Sequence, residues 1–147
     1  MPGAKLQLKG ARRLEQKLLS YGERVYDKHV GYAVRAGARP IIREARAAVS
    51  VKSGQLKKSM GSVLRKNKRS QTAYAVIGPR HGFRVSGEDG THDPAKVAHL
   101  VEFGHGGSQP APPHPFLRPA FEGGKEAARQ AIIARLRKAV MQEARRG

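Results

Sequence analysis

The N-terminal third of the chain contains two stretches in which apolar residues recur at helical spacing. In residues 11–20 this spacing predicts a short amphipathic helix that ends before Gly22. The second stretch, residues 23–49, contains Pro40, and a proline removes one helical hydrogen bond and crowds the preceding turn. We therefore predict either a bend at Pro40 or two helices that meet near Gly37.

The pattern changes after these helices to one that is typical of strands. Residues 62–65 and 72–77 predict the two strands of an antiparallel β-hairpin, and the polar connection between them has the length of a hairpin loop. This connection is rich in cations, so we expect a small hairpin or sheet with a basic tip. The tip residues are Lys66, Lys68 and Arg69.

The next segments predict a loop and then a helix. Residues 78–94 are rich in glycine and carry mixed charges, which predicts a flexible loop. Residues 95–103 predict a helix with Val97 on its buried face. Gly104 follows directly and is expected to end this helix, because glycine tolerates the backbone angles that commonly follow a helix C-terminus.

The last part of the chain predicts an extended proline-rich arm and a long C-terminal amphipathic helix. The apolar positions that predict the buried face of this helix are Phe121, Ala128, Ile132, Leu136 and Val140. N-terminal helices, a small antiparallel hairpin and further helices together make the fold class α+β. The length predicts one domain that spans residues 1–147.

The charge of the chain narrows the choice of partners. Lys and Arg number 29 against 11 for Asp and Glu, which gives a formal net charge of +18 at pH 7. No acidic residue occurs between Ala45 and Gly87, although basic residues recur throughout that stretch. Self-repulsion on this scale favours an anionic partner, which could be nucleic acid, an anionic surface or an acidic protein.

Two absences limit the cellular setting. The sequence has no apolar run long enough to span a membrane, and its N-terminus lacks the apolar stretch of a secretory signal. We therefore expect a soluble protein that is made in a cytoplasm. Because the chain has no cysteine, disulfides, thiolate metal sites and cysteine nucleophiles are all excluded.

The histidines and acids of residues 92–114 are the best candidates for a catalytic or metal site, but their spacing argues against both. The spacings of zinc-binding helices do not occur, and the acids are too scattered for a divalent-metal nuclease. Glu102 lies between Val101 and Phe103, where we expect an ion pair with an arginine such as Arg118 rather than a general base. We predict no enzymatic activity, no cofactor and no metal.

Three short elements occur in order ahead of the final helix. They are Ser50–Ser59 (SVKSGQLKKS), Leu100–His105 (LVEFGH) and Pro115–Phe121 (PFLRPAF). Together they resemble the head-to-tail joining, or tail-completion, proteins of long-tailed bacteriophages. The resemblance covers about Ser50 to Val140. Ser50 stands where a proline is common in that family, and residues 78–94 form a longer loop, so contacts with neighbours at that edge are expected to differ.

The resemblance implies a non-enzymatic structural subunit of the virion, assembled in the host cytoplasm. Such a protein forms a homo-oligomeric ring, which we expect to be sixfold, at the neck of the particle. Its expected partners are the head connector or stopper and the tail tube or tail terminator protein, with no membrane contact. The basic tip is then expected to face DNA in the channel or an acidic partner.

We expect the subunit and partner contacts to centre on the segment around the proline-rich arm. The expected interface residues are Glu102, Phe103, Phe116, Leu117, Arg118 and Phe121. The apolar members would anchor the arm on the chain's own helices or on the adjacent subunit. Arg118 would hold Glu102 or an acidic neighbour.

Two other functions remain open at this point. The charge alone is typical of a non-specific nucleic-acid-binding protein, a monomer or dimer whose DNA affinity falls steeply with salt. A metal-dependent hydrolase would instead use His92, His99, Glu102 and His105. Substitution of Glu102 would then abolish activity without harming assembly, which is the reverse of what we expect.

Overall fold

The computed structural model describes residues 11–49, 54–83, 85–87 and 90–146. This part of the protein consists of helices and two antiparallel hairpins. The helices are α1 (Ala11–Val25), α2 (Gly31–Ala48), α3 (Gln55–Ser59), α4 (Pro94–Phe103) and α5 (Leu117–Arg146), and the strands are β1 (Met60–Asn67), β2 (Thr72–Pro79), β3 (Val85–Gly87) and β4 (Gly90–His92). The predicted α+β class and the long C-terminal helix are confirmed. The first part of the SVKSGQLKKS element, residues 50–53, lies outside the described residues.

α1 and α2 form one continuous helical segment, joined by a π-helical turn at Tyr26–Val30. The prediction that the first helix ends before Gly22 is wrong, because α1 continues to Val25. Two helices that meet near Gly37 do not form either, since α2 continues through Gly37 and Pro40. Gly37 is buried against α5, and tertiary packing of this kind outweighs a weak local helix propensity.

α5 runs antiparallel to α2 and packs against it through small residues. Gly37 of α2 lies against Ile132, and Gly124 of α5 lies against Ile41. A Cβ atom placed on Gly124 would be 3.0 Å from the Cα atom of Ile41, so the two helix backbones approach closely here. The buried stripe of α5 consists of Ala120, Gly124, Ala128, Ala139 and Glu143.

This stripe differs from the predicted buried face of the C-terminal helix. Phe121 and Val140, which were expected to point inward, are each 53% exposed, whereas Ala128 is buried as predicted. Ile132 and Leu136 are half-buried beside the stripe. The prediction follows the large apolar residues, but a close helix pair buries the side of α5 that carries Ala and Gly.

We expect Gly124→Ala to destabilise the protein and Gly123→Ala to stabilise it. Alanine favours a helix over glycine by about 1 kcal/mol, and a Cβ atom at Gly123 would have open space around it. At Gly124 the new methyl group would meet backbone atoms of Ile41 at 3.0 and 3.1 Å, so we expect a net loss of about 1 to 2 kcal/mol. Chemical denaturation of both variants checks this. Equal stabilisation of the two would contradict the close α2–α5 packing.

The predicted hairpin is present, and its strands are longer than expected. β1 and β2 pair antiparallel with Val63 opposite Val76 and Asn67 opposite Thr72. The inner face of the hairpin covers α2, where the Leu64 side chain lies against Gly31. The opposite face of the hairpin carries exposed residues on both strands. Because β1 ends at Asn67 and β2 begins at Thr72, the turn that connects the strands consists of residues 68–71 only.

Residues 78–94 contain more secondary structure than the predicted loop. β2 continues to Pro79, and β3 pairs with β4 so that Val85 lies opposite His92. These strands are three residues long, which is too short for an alternating pattern to be recognised in the sequence.

Asp93 links this region to the start of α4. Its carboxylate accepts hydrogen bonds from the backbone N–H groups of Ala95 and Gly82, both at 3.0 Å. The bond from Ala95 caps the N-terminus of α4, and Pro94 occupies the first helical position. The hydrogen bond from Gly82 is the main reason that the pKa of Asp93 lies below its ordinary value. One of the acids that a metal-site hypothesis would use therefore has a structural role.

The core lies where α2, β1, α4 and α5 meet. Its buried residues are Ala45, Val49, Met60, Ala98, Phe116 and Ala120. Among the described residues, Phe116 is the largest side chain that is fully buried, at 1% exposure. The prediction for α4 is wrong in one respect, because Val97 is 45% exposed and the helix buries Ala98 and Glu102 instead.

A buried carboxylate connects the far end of α5 to the N-terminal helices. Glu143 is 2% exposed, and its oxygens lie 3.3 Å from Nε of Arg24, 3.2 Å from Nε2 of His29 and 3.4 Å from Nη1 of Arg146. The hydrogen bond with His29, helped by the charges of Lys28 and Arg146, lowers the pKa of Glu143 although its burial acts in the opposite direction. This contact holds the C-terminal end of α5 beside α1.

Candidate assembly interface

The end of α4, the proline-rich arm and the start of α5 form one bend, which we call the elbow (residues 100–121). Gly104 ends α4 as predicted, and its φ angle is +72°. A Cβ atom at Gly104 would lie 2.7 Å from the backbone oxygen of Ala111 and 2.8 Å from the nitrogen of Pro113. Glycine is required here, because both the backbone angle and the close approach exclude a side chain.

Backbone hydrogen bonds hold the arm of the elbow in place. The N–H of His105 donates to the carbonyl of Ala111 at 3.0 Å, and the N–H of Ala111 donates back to His105 at 2.9 Å. The N–H of His114 donates to the carbonyl of Val101 at 2.8 Å. These bonds close the arm on itself and tie its second half to α4. They fix where the chain enters α5.

Glu102 caps the N-terminus of α5 from the neighbouring helix. Its Oε2 atom accepts hydrogen bonds from the backbone N–H groups of Phe116 at 2.8 Å and Leu117 at 3.1 Å, and Oε1 accepts from that of Arg118 at 3.5 Å. The first N–H groups of a helix have no partner within the helix and form the positive end of its dipole, so a carboxylate is favourable there. A buried acid thus holds the two arms of the elbow together.

The expected ion pair between Glu102 and Arg118 is therefore not what the structure shows. Arg118 reaches Glu102 through its backbone N–H group. Among the described residues, no ion pair joins the two side chains, and the Arg118 side chain is exposed. The sequence analysis paired the correct two residues. It could not show that the N-terminus of α5, rather than the guanidinium group of Arg118, neutralises the carboxylate of Glu102.

Phe116 and Ala120 show the structural role of the PFLRPAF element. Both residues are buried in the core, and Leu117 is half-buried beside them. Pro119 lies in the first turn of α5, where a missing backbone N–H costs little. The element therefore starts the helix and anchors it, and Phe116 acts on the chain's own core rather than on a neighbour.

Four of the expected interface residues, Glu102, Phe103, Leu117 and Arg118, line one groove of about 510 Å³. Its lining is Ala98, His99, Glu102, Phe103, Pro115, Leu117 and Arg118. Phe103 is 78% exposed, and Phe121, one turn after Leu117 on α5, is 53% exposed. The structure thus places most of the predicted residues together and leaves two aromatic side chains largely uncovered in the isolated subunit.

The basic tip of the hairpin has fewer free cations than predicted. Lys66 lies in β1, and its Nζ atom donates to the backbone oxygens of Tyr26 at 3.1 Å and Asp27 at 3.0 Å. Lys68 lies 3.3 Å from the carboxylate of Asp27. Lys66 thus lies in the strand before the turn, where the underlying π-helical turn offers its ammonium group two carbonyl acceptors. Lys68 and Arg69 belong to the tip.

Sequence reasoning missed two further exposed apolar surfaces. The outer face of the β1–β2 hairpin carries Val63, Tyr74 and Val76, which are 47%, 59% and 55% exposed. Leu14 and Leu18 of α1 are 57% and 59% exposed. The helical spacing of Leu14 and Leu18 correctly predicted an amphipathic helix. It could not predict that the apolar face of α1 is left uncovered by the other described elements.

Within the described ranges, no group of three or more His, Asp or Glu side chains is arranged to hold a metal ion. No helix in the same ranges has the length and apolar character needed to cross a membrane. The clustered residues near the elbow serve other purposes, with Glu102 as the helix cap and Asp93 at the start of α4.

The chain has a small α+β fold, and the residues of the LVEFGH and PFLRPAF elements hold this fold together, as is typical of a structural protein. Residues 12–104 match the model of the HK97-gp10-like family, described as "Bacteriophage HK97-gp10, putative tail-component", and the chain belongs to this family. It is a structural protein of bacteriophage tails. The match includes the LVEFG part of the elbow and the N-terminal helices, whereas the PFLRPAF element follows it. Neither curated proteins nor solved structures gave a match.

Proposed function

We propose that this tail protein is a subunit of a closed ring at the head–tail junction, where it completes the neck by joining the head connector to the tail tube. The observation that carries the proposal is the exposure of Phe103 and Phe121 on an elbow that is itself held by Glu102 and backbone hydrogen bonds. Large exposed aromatic residues on a fixed support are typical of protein interfaces. In this role the protein is non-enzymatic and resides in the virion after assembly in the host cytoplasm.

A ring needs two different surfaces that meet head to tail. The elbow lies at the N-terminal end of α5, whereas Leu14 and Leu18 lie on α1, which contacts the C-terminal end of α5 through Arg24 and Glu143. The chain therefore presents apolar side chains at opposite ends of its main helix pair. This arrangement suits heterologous contacts better than a symmetric dimer, and we propose six copies in the ring.

The charge of the subunit sets a condition on such a ring. Each copy carries +18, so a ring of six copies needs anions nearby to offset their mutual repulsion. An acidic surface of the neighbouring tail or head protein would supply them, as would DNA in the channel. In this proposal Lys68 and Arg69, at the hairpin tip, face one of these partners.

Native mass measurement of the purified protein, alone and with its neighbouring virion proteins, tests the proposal. We expect a defined ring, and we expect Phe103→Ser combined with Phe121→Ser to dissociate it at concentrations at which the wild type stays intact. An aromatic residue at the centre of an interface typically contributes about 2 kcal/mol or more. Tyr32→Ser is the matched control, since Tyr32 is 66% exposed on α2.

Two results would contradict this proposal. A double variant that assembles as well as the Tyr32→Ser control would remove the elbow from the interface. A wild-type protein that stays monomeric or dimeric with its virion partners, and that binds DNA in a strongly salt-dependent way, would favour the alternative function of a free nucleic-acid-binding protein. The net charge of +18 is the observation behind that alternative.

A further inference from the structure

A cationic groove lies on α2, on a surface that the proposed ring contacts do not use. Its residues are Arg39, Ile42, Arg43, Arg46, Ala47, Lys57, Met60 and Gly61, and its volume is about 520 Å³. Three arginines from one helix therefore line the groove together with a lysine from α3. We call this surface the arginine groove.

Little negative charge offsets these cations. Glu44 lies 3.6 Å from Arg43, but the two side chains are 43% and 76% exposed, and such a surface pair contributes little. No other ion pair within the described part of the chain involves a cation of the groove. Arginines three and four positions apart on a helix repel each other, so a bound anion would stabilise the groove.

The spacing of the arginines suits a phosphodiester backbone. Arg39, Arg43 and Arg46 span about 10 Å along the axis of α2, given a rise of about 1.5 Å per residue. One strand of B-DNA rises about 3.4 Å along the duplex axis per phosphate, so this span matches about three phosphate-to-phosphate steps of a duplex that lies along α2. Guanidinium groups bind phosphate in a planar two-pronged geometry. The lining contains no aromatic side chain on which an unpaired base could stack, which favours duplex DNA over single strands.

An acidic peptide fits the arginine groove less well. A peptide that docks beside a strand edge gains much of its affinity from main-chain hydrogen bonds. The carbonyl of Met60, at the β1 side of the groove, already accepts a hydrogen bond from Nη2 of Arg46 at 2.9 Å. A peptide would therefore rely mainly on charge attraction here, and a DNA strand offers a denser row of charges.

We propose that the arginine groove binds the phosphate backbone of duplex DNA without regard to base sequence. The contact lies on the surface of the single subunit and does not depend on ring formation. Its test uses binding in solution, so a failure of this inference and a failure of the proposed ring give different results.

The experiment measures the affinity of the full-length protein for a short duplex of mixed sequence between about 50 and about 200 mM salt. The groove variant combines Arg39→Gln, Arg43→Gln and Lys57→Gln and retains Arg46, which holds Met60. The control variant removes the same charge from the cationic end of α5, by Arg137→Gln, Lys138→Gln and Arg145→Gln. The same measurements are repeated with a poly-glutamate peptide.

We expect the slope of log affinity against log salt to become shallower by about three in the groove variant, since each lost phosphate contact removes about one. In the control variant we expect a change of less than about one. Equal changes in the two variants would overturn the proposal, because the net charge alone would then explain binding. Unchanged DNA binding by the groove variant, with loss of poly-glutamate binding, would also overturn it and would assign the groove to an acidic protein.

Discussion

Phe116→Ala is expected to lower the free energy of unfolding by about 3 to 5 kcal/mol, the range measured for removal of a fully buried phenylalanine. The side chain is 1% exposed and is surrounded by the core residues Met60, Ala98 and Ala120. Its loss removes apolar contacts and leaves a cavity between α4 and α5. At this chain length the melting temperature should fall by about 10 °C.

Phe121→Ala is the matched control for this prediction. Phe121 lies on the same helix but is 53% exposed, so we expect a loss below about 1 kcal/mol. Thermal and chemical denaturation of both variants give the comparison. Similar losses in the two would show that Phe116 is not the main anchor of the elbow. We further expect Phe116→Ala to block assembly under conditions in which the monomer is still folded, because the elbow loses its support first.

The second large effect is expected for Glu102→Ala, with a loss of about 3 kcal/mol. The substitution removes the acceptor of three backbone N–H groups, those of Phe116, Leu117 and Arg118. Hydrogen bonds to a charged group contribute about 1.5 to 3 kcal/mol each, and a buried N–H without a partner is costly. Glu102→Gln keeps one acceptor oxygen but loses the charge, so its effect should be intermediate.

The control for Glu102 is Glu126→Ala, which removes an exposed acid of α5 that pairs with Arg129 at 2.8 Å. An exposed pair of this kind contributes at most about 1 kcal/mol. Denaturation and amide hydrogen exchange at residues 116–118 provide the measurements. Exchange at these amides should accelerate in Glu102→Ala and stay unchanged in Glu126→Ala. Equal stability of the two variants would contradict the capping role.

These expectations also separate the scaffold role of Glu102 from a catalytic one. A hydrolase that used Glu102 as a reactive acid would lose activity and keep its stability and assembly. The cap geometry leads to the opposite expectation, because both oxygens already accept backbone hydrogen bonds. Loss of stability together with loss of assembly is therefore the result that fits the elbow.

The local elements of the elbow were accessible to sequence reasoning because their signals lie within a few residues. Gly104 follows an apolar helical run, and the structure ends α4 there with a positive φ angle. The hairpin was predicted from two strand patterns joined by a polar connection, and its register confirms the pairing. β3 and β4 were missed, since strands of three residues carry too little pattern.

The partners of side chains were much less accessible. Glu102 attracted notice as an acid between apolar residues, but its partner is the start of a helix that lies beyond the proline-rich arm. Lys66 was predicted to be a cation of the hairpin tip, but in the structure its ammonium group donates to the backbone carbonyls of Tyr26 and Asp27. In both cases a charged side chain forms hydrogen bonds with backbone atoms. Every residue has these atoms, so a pattern of side-chain types cannot show which of them will be the partners.

The amino-acid order alone determined the α+β class, the basic character and the family resemblance, since all three depend on local pattern and composition. Tertiary structure decided which face of α5 is buried, because Gly37 and Gly124 let α2 approach along a stripe of small residues that hydrophobicity does not mark. It also decided which apolar residues stay exposed, as Phe103 does and Phe116 does not. Burial depends on what the rest of the chain covers, and this is settled only when distant segments pack.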